Sequence, residues 1–327
     1  MSLPAERPDR SVRFRAAIVG LGQVGMLFDN DPKRRRVWTH FSAYKDLAEQ
    51  FDLVAVCDTD PDRLELATGR DPSLRAFSTL EELLDTESLD VISICTPIAL
   101  HTQQIEACAG RVRAIVCEKP LAHDLSSAER TVDACAASGT LLVVNYYKRF
   151  ETAIQAAVRL LDGGALGVLH SATALYAGSL DAVGSHAVDL LGLMLGPLEV
   201  MHVIHGVGES AVLRFGDEGV AILLATGRRE DLVFEIDLIG SDGRLRILDN
   251  GARLETAKFA PSPRYDGYRE LVNLPEEATD EGEPFILMIK EVADALHGRR
   301  RELTSGGASA LKTQIVLNAI HSHVQEK

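Results

Sequence analysis

"AIVGLGQVGMLFDN", residues 17–30, sets three glycines, Gly20, Gly22 and Gly25, directly behind an apolar run. A strand that ends in G-x-G-x-x-G and runs into a helix is the dinucleotide fingerprint of a doubly wound α/β fold. Gly20 permits the tight turn, Gly22 lets a pyrophosphate approach the backbone, and Gly25 lets helix pack on strand. The helix start then faces the phosphates. A tight turn with no ligand would carry the same three glycines, so the residues downstream decide. The next apolar run, "LVAVCDTD", ends on Asp58. An acid there accepts hydrogen bonds from ribose hydroxyls and repels a 2′-phosphate, which favours NAD over NADP, with Arg63 placed to soften that preference. Asp58 lies 33 residues beyond Gly25, against a usual spacing of about 20. The excess is assigned to "FDNDPKRRRVWTH" (28–40), read as an insertion in or before the helix.

Outward from that stretch, short β-branched runs alternate with helical ones over the first 145 residues. The strand candidates are 14–19, 53–57, 91–95, 114–117 and 141–145, and amphipathic stretches fall between them. Apolar strands separated by such helices imply a parallel sheet covered on both faces. After Phe150 the pattern changes. One helix runs to Gly163-Gly164, and then come six β-like runs between 168 and 248, several joined by Asp242-Gly243 or Asn250-Gly251 turns that favour antiparallel hairpins. Two helices, near 284–297 and 308–324, close the chain. The expected organisation is a Rossmann domain over 11–150 and a substrate-binding and oligomerisation α+β domain over 151–327, with a large, mostly antiparallel open sheet. Pro261–Pro284, with four prolines, reads as an exposed excursion.

The bulk numbers exclude several classes. A net charge of −14 with only one short basic run, Lys33–Arg36, argues against nucleic acid. Five cysteines without a CxxC read as buried reduced thiols, and neither a disulfide frame nor a zinc site is expected. The polar start "MSLPAERPDRSVRF" has no signal-peptide core, and no run of about 18 apolar residues is available to cross a membrane. A soluble cytoplasmic protein is expected.

Two further stretches carry chemistry. "ICTPIALH" sets Thr96-Pro97 at a strand end with His101 beyond it, and "VCEKPLA" sets Glu118-Lys119-Pro120 at the end of the next strand. A lysine at the carboxyl end of a parallel strand can reach a bound nicotinamide. Desolvation and the positive ring would lower its pKa toward neutrality, which suits proton exchange with a hydroxyl. With the glycine turn, "NYYKRF" (145–150), "GALGVLHSA" (164–172) and "GSHAVDLLGLMLG" (184–196), the chain resembles the glucose-fructose oxidoreductase / inositol dehydrogenase / rhizopine-catabolism (Gfo/Idh/MocA) family over nearly its whole length.

That resemblance implies a Rossmann domain, a second domain with an open sheet, and a homodimer or homotetramer formed through that sheet. It implies cofactor contacts at Gly20, Gly22, Gln23, Val24, Gly25, Asp58, Thr96, Pro97, His101, Glu118 and Lys119. His186 is implied to touch the hydroxyl being oxidised, with Tyr147, Lys148 and Arg149 bordering a polyhydroxylated substrate. Many relatives carry an aspartate four residues before the histidine. That position is Ala182 here, and Asp181 stands one step away, so either Asp181 takes over or Lys119 and His186 work without it. Asp189 reads as structural. No metal is expected, since His202/His205 and His321/His323 lack acidic or cysteine company. The leading expectation is an NAD(H)-dependent oxidoreductase acting on a sugar, inositol or nucleotide-sugar hydroxyl or carbonyl. Two rivals stand beside it: reduction of a C=C or C=N bond on the same fold, and a nicotinamide-binding sensor without turnover.

Overall fold

The computed structural model describes residues 13–34, 37–228, 230–275 and 282–325. The polar start through residue 12, Arg35 and Arg36 of the basic run, and 276–281 of the proline-rich stretch lie outside them. The chain forms two compact units, one from residues up to 121, 129–145 and 285–307, the other from 122–128, 146–284 and 308 onward.

The first unit alternates strand and helix: β1 (Phe14–Val19), α1 (His40–Asp46), β2 (Phe51–Cys57), α2 (Pro61–Arg70), β3 (Arg75–Phe77), α3 (Leu80–Thr86), β4 (Val91–Ile94), α4 (Ile98–Cys108), β5 (Ala114–Cys117), α5 (Leu125–Ser138) and β6 (Leu141–Val144). The six strands are parallel, in the order β3-β2-β1-β4-β5-β6. Residues of β4 and β5 are buried throughout, as a sheet covered on both faces requires. Helix starts follow their caps: Thr39 accepts from Ser42 N–H, Thr79 from Glu82 N–H, and Asp60 from Asp62 N–H with Pro61 at the first helical position. β3 is absent from the sequence reading because its three residues, Arg-Ala-Phe, are too short and too polar to show a period. The chain winds outward from β1 in both directions, and ligands bind such sheets at the carboxyl ends of the strands where the order reverses.

The second unit begins with α6 (Thr152–Asp162) and β7 (Leu169–Ala177), followed by α7 (Ser185–Leu195), β8 (Leu198–His205), β9 (Glu209–Phe215), β10 (Gly219–Gly227), β11 (Phe234–Gly240), β12 (Gly243–Leu248), β13 (Arg253–Pro261) and β14 (Arg269–Asn273). Its eight strands run β14-β13-β12-β11-β7-β10-β9-β8, antiparallel except for the β7–β10 pair. Strict alternation in β11 buries Phe234, Ile236 and Leu238 in one core with helix residues such as Val188, Leu191, Leu317 and Ile320. Asp249 and Asn250 take left-handed φ of 54° and 61° in the β12–β13 turn, which these two residue types tolerate. β14 lies within the 261–284 stretch read as an exposed excursion, and β13 runs up to its first residue. Their prolines sit at the end of β13 and beyond β14, where a missing N–H costs little.

The last two helices are α8 (Pro284–Leu296) and α9 (Gly307–Gln325). The single boundary expected near residue 150 is therefore corrected. It falls after Asn145, and 285–307 belongs to the first unit. There Phe285 meets the His40 ring edge-on at 4.9 Å, His297 packs on Phe14 at 4.7 Å, Val144 N–H donates to Ser305 O at 2.9 Å, and Ser305 Oγ–H donates to Val144 O at 2.6 Å. An apolar helix face reads the same whichever unit it covers, so periodicity could not reveal this return.

Candidate functional site in two parts

Gly20 and Gly25 are demanded by the protein itself. Gly20 has φ +93°, and a Cβ there would lie 2.7 Å from Cys95 C and O; a Cβ on Gly25 would lie 2.1 Å from Gly20 O. A Cβ on Gly22 would meet nothing within 4 Å. Packing thus gives no reason for glycine at 22, whereas the close approach of a pyrophosphate does. Gly22, Gln23 and Val24 head a single turn closed by Met26 N–H on Gly22 O (2.9 Å) and Phe28 N–H on Gln23 O (2.9 Å). The chain then leaves, and it returns with His40 N–H on Val24 O (3.0 Å) and Phe41 N–H on Gly25 O (3.1 Å). These pairs are sixteen residues apart where a helix needs four, so twelve residues are inserted across one helical turn. Without them the glycine-to-acid spacing is the ordinary one of about 20.

Asp58 ends β2 and accepts from two backbone N–H groups, Leu21 of the glycine turn at 2.6 Å and Asp60 at 2.9 Å. Arg63 lies 3.6 Å from Asp58 and 3.1 Å from Asp60. The acid is thereby fixed against the turn it was expected to accompany.

Thr96, Pro97, Glu118 and Lys119 follow directly on β4 and β5. Glu118 is buried and receives His40 Nε2 at 3.0 Å and Asn145 Nδ2 at 2.5 Å. Burial alone would raise its carboxyl, but the bond and charge of His40, with Asn145 and Lys119, hold it below its ordinary value. Lys119 is half-buried and precedes a cis bond to Pro120. His101 was expected to contact cofactor. It is buried, with Nδ1 3.1 Å from Pro120 O and Nε2 2.9 Å from Thr96 O, so its ring joins two backbone segments. Asn145 Oδ1 is buried and has no hydrogen-bond partner among the described residues.

In the second unit a 3-10 turn, Tyr147–Phe150, follows Tyr146. His186 is buried at the start of α7, with Tyr146 and Tyr147 edge-on at 5.6 Å and 5.1 Å. Lys148 and Arg149, expected to border the substrate, are both buried and hydrogen-bonded within this unit. Lys148 Nζ donates to Glu151 (3.1 Å) and Asn250 O (2.8 Å) and sits 4.4 Å over the Phe234 ring. Arg149 holds Asp189 with two parallel bonds of 2.7 and 2.6 Å and donates to Ser309 at 2.7 Å. Asp189 also accepts from Thr313 Oγ1 at 2.9 Å. Asp181 lies in a π turn, Leu180–Gly184, whose Gly184 N–H reaches back five residues to Ser179 O. Its carboxylate meets His321 Nε2 at 2.9 Å. The pairs Asp189–Thr313 and Asp181–His321 step eight residues in opposite directions, so Asp181 faces α9 as Asp189 does. Gly184 of "GSH" leaves room for the Tyr176 ring, which a Cβ would approach to 2.9 Å.

His40, Ser93 and Tyr44 form a buried polar chain, to which the sequence reading gave Ser93 and Tyr44 no part. The legible signal was a serine inside the apolar run Val-Ile-Ser-Ile, since a buried hydroxyl needs partners. All five cysteines are free, and burial keeps the thiols protonated, pushing Cys57 and Cys108 up to about 12 and Cys135 to about 11. Among the described residues no cluster of three His, Cys, Asp or Glu side chains suits a metal, and no helix is long and apolar enough to cross a membrane.

An open position at Gly22, an acid fixed at the end of β2 and an orphaned buried acceptor at the end of β6 together fit a nicotinamide dinucleotide, on a doubly wound parallel sheet. Residues 14–146 match the profile of the Gfo/Idh/MocA oxidoreductases, described as having an NAD-binding Rossmann fold. Over that stretch the chain is similar to the Gfo/Idh/MocA oxidoreductases. It is 26% identical over 289 residues to D-apiose dehydrogenase of Paraburkholderia graminis, covering 77% of this chain and 74% of that one. It is 20% identical over 245 residues to myo-inositol 2-dehydrogenase of Thermotoga maritima, covering 73% and 69%. The solved WlbA dehydrogenase from Bordetella pertussis, in complex with NADH and UDP-GlcNAcA, shares the fold at a TM-score of 0.80, with 22% identity and 96% of both chains covered.

Proposed function

We propose that this protein is an NAD-dependent dehydrogenase or reductase moving a hydride between nicotinamide and a CH–OH or C=O carbon of a sugar, polyol or nucleotide sugar. The observation that carries the reading is Lys119 at the carboxyl end of β5, in a unit whose glycine turn is open at Gly22 alone. The sugar and polyol class rests on the relatives, whose names include apiose and inositol dehydrogenases. Asp58 supports NAD over NADP, because Arg63, the cation nearest it, already faces both Asp58 and Asp60.

Bound nicotinamide supplies the hydride acceptor or donor at its ring carbon. Gly22, Gln23 and Val24 offer backbone N–H groups to the pyrophosphate, Asp58 takes the ribose hydroxyls, and Asn145 Oδ1 is an acceptor for a carboxamide N–H. Lys119 Nζ takes the hydroxyl proton in oxidation and returns it in reduction. His186, its ring held between Tyr146 and Tyr147, orients that hydroxyl. Asp181 is turned to His321, and this favours a mechanism in which Lys119 and His186 act without a third acid. The same feature favours, as a second reading, hydride delivery to a C=C or C=N bond. The charged open face of the β7–β14 sheet, with Asp237–Arg244 and Arg246–Glu255 pairs, is the surface proposed to meet a second copy of the chain.

The test is NADH and NADPH turnover on polyols, keto-sugars, enones and imines, for wild type and Lys119→Ala. The expected result is NAD-linked polyol or keto-sugar turnover that Lys119→Ala lowers about a thousandfold while NADH binding persists. Equal rates in the two proteins overturn the role of Lys119. Enone or imine turnover alone selects the second reading, and tight NADH binding without any turnover selects a sensor.

A further inference from the structure

The "EKP" tripeptide is gripped from both sides by buried imidazoles. On one side His101 joins Pro120 O to Thr96 O. On the other, His40 joins Glu118 to a polar chain inside the sheet: His40 Nδ1 lies 2.9 Å from Ser93 Oγ, which lies 2.8 Å from the Tyr44 hydroxyl. His40 and Ser93 are fully buried and Tyr44 is 1% exposed. The chain therefore runs from α1 through β4 to the tip of β5, and Asn145 carries it on to β6.

Such a network is a poor way to gain stability. Burying polar and charged groups costs desolvation that an apolar replacement of the same shape would avoid, and the gain lies in fixing one geometry. Two observations say which geometry is fixed. Glu118 immediately precedes Lys119, so a carboxylate held at two points fixes the peptide from which the lysine springs. His40 is also the residue at which the chain rejoins the glycine turn, through its N–H on Val24 O at 3.0 Å. One residue thus bonds the phosphate-binding turn with its backbone and the lysine strand with its ring. We propose that His40 is a positioning residue that sets Lys119 through Glu118 and ties its placement to the glycine turn. This rests on the reading of Lys119 as the proton-exchanging group.

A graded series removes the chain from its far end inward while keeping shape: Tyr44→Phe, Ser93→Ala and His40→Leu, with His40→Gln restoring one N–H donor toward Glu118. The expected result is a kcat that falls step by step to about a hundredfold below wild type in His40→Leu. NADH Kd should stay within about threefold, and His40→Gln should recover part of the loss. A second readout needs no substrate: the rate at which acetic anhydride acylates Lys119 in the NADH-bound protein, followed by mass spectrometry with exposed Lys312 as internal reference. In His40→Leu the Lys119 rate should change by about threefold or more while Lys312 holds. Unchanged Lys119 acylation in a folded His40→Leu protein overturns the proposal, as does a kcat loss matched by equal loss of NADH affinity. If wild type itself turns over nothing, the acylation result still decides His40, and the function fails separately.

Discussion

At the carboxyl ends of β5 and β6, Glu118, Lys119 and Asn145 sit on rigid strand ends, and the buried Asn145 Oδ1 has no hydrogen-bond partner among the described residues. In the 3-10 turn at Tyr147–Phe150, a stretch just as rich in polar residues behaves in the opposite way. Lys148 and Arg149 are buried, and Glu151, Asn250, Asp189 and Ser309, to which they donate, all lie in their own unit. Strand ends in a parallel sheet terminate at an edge where side chains can serve a ligand, whereas a turn that seats the next helix must satisfy its charges at once. Residue type alone does not separate these cases; the element does.

Breaking the Arg149–Asp189 pair tests the comparison hardest. Arg149→Ala leaves a carboxylate buried and unpaired, and urea unfolding should show a loss of about 3–5 kcal/mol. The double variant Arg149→Met with Asp189→Leu should recover most of it. If Arg149→Ala instead keeps its stability and raises KM, the arginine faces substrate and the contrast between the two regions disappears.

The glycines sharpen the comparison within the first unit. Gly20→Ala and Gly25→Ala should each lower stability by about 1–3 kcal/mol, from left-handed strain and collision with Gly20 O respectively. Gly22→Ala should unfold like wild type yet bind NADH about tenfold more weakly, by calorimetry. A destabilised Gly22→Ala with normal affinity would show a packing role in place of the ligand one.

The smallest effect concerns Asp181 and His321. The hydrogen bond that His321 Nε2–H donates to Asp181 raises the His321 pKa above its ordinary 6.5, against burial. The stabilisation is therefore complete below the ordinary histidine value and fades as pH rises through the raised one. Both groups are partly exposed, so the amount is at most about 1 kcal/mol. His321→Gln should abolish this difference between unfolding at pH 5.5 and pH 8.5, measured at matched salt. A kcat change without that stability change would place Asp181 in the chemistry after all.

The Rossmann order and the glycine turn were legible because β-branched runs, glycines and caps are local signals. The insertion was legible only as an excess in the Gly25–Asp58 spacing. Its length needed the Val24–His40 bond, which joins residues sixteen apart. The internal bonds of His101, Lys148 and Arg149 were not legible, because Pro120, Asn250, Asp189 and Ser309 lie far along the chain and burial of a charged side chain leaves no mark on its neighbours in sequence. β13 and β14 were missed because prolines at the margin of a sheet look like prolines in a loop.

A detour that returns to the hydrogen bond it left is invisible to everything downstream. Evolution, or a protein engineer, has more freedom at the tip of the segment between Leu27 and His40 than at its base, where Asp29 accepts from Thr39, Ser42 and Arg70 and Asn30 from Arg70. A tag or a reporter spliced at that tip would leave Asp58 meeting the glycine turn as before.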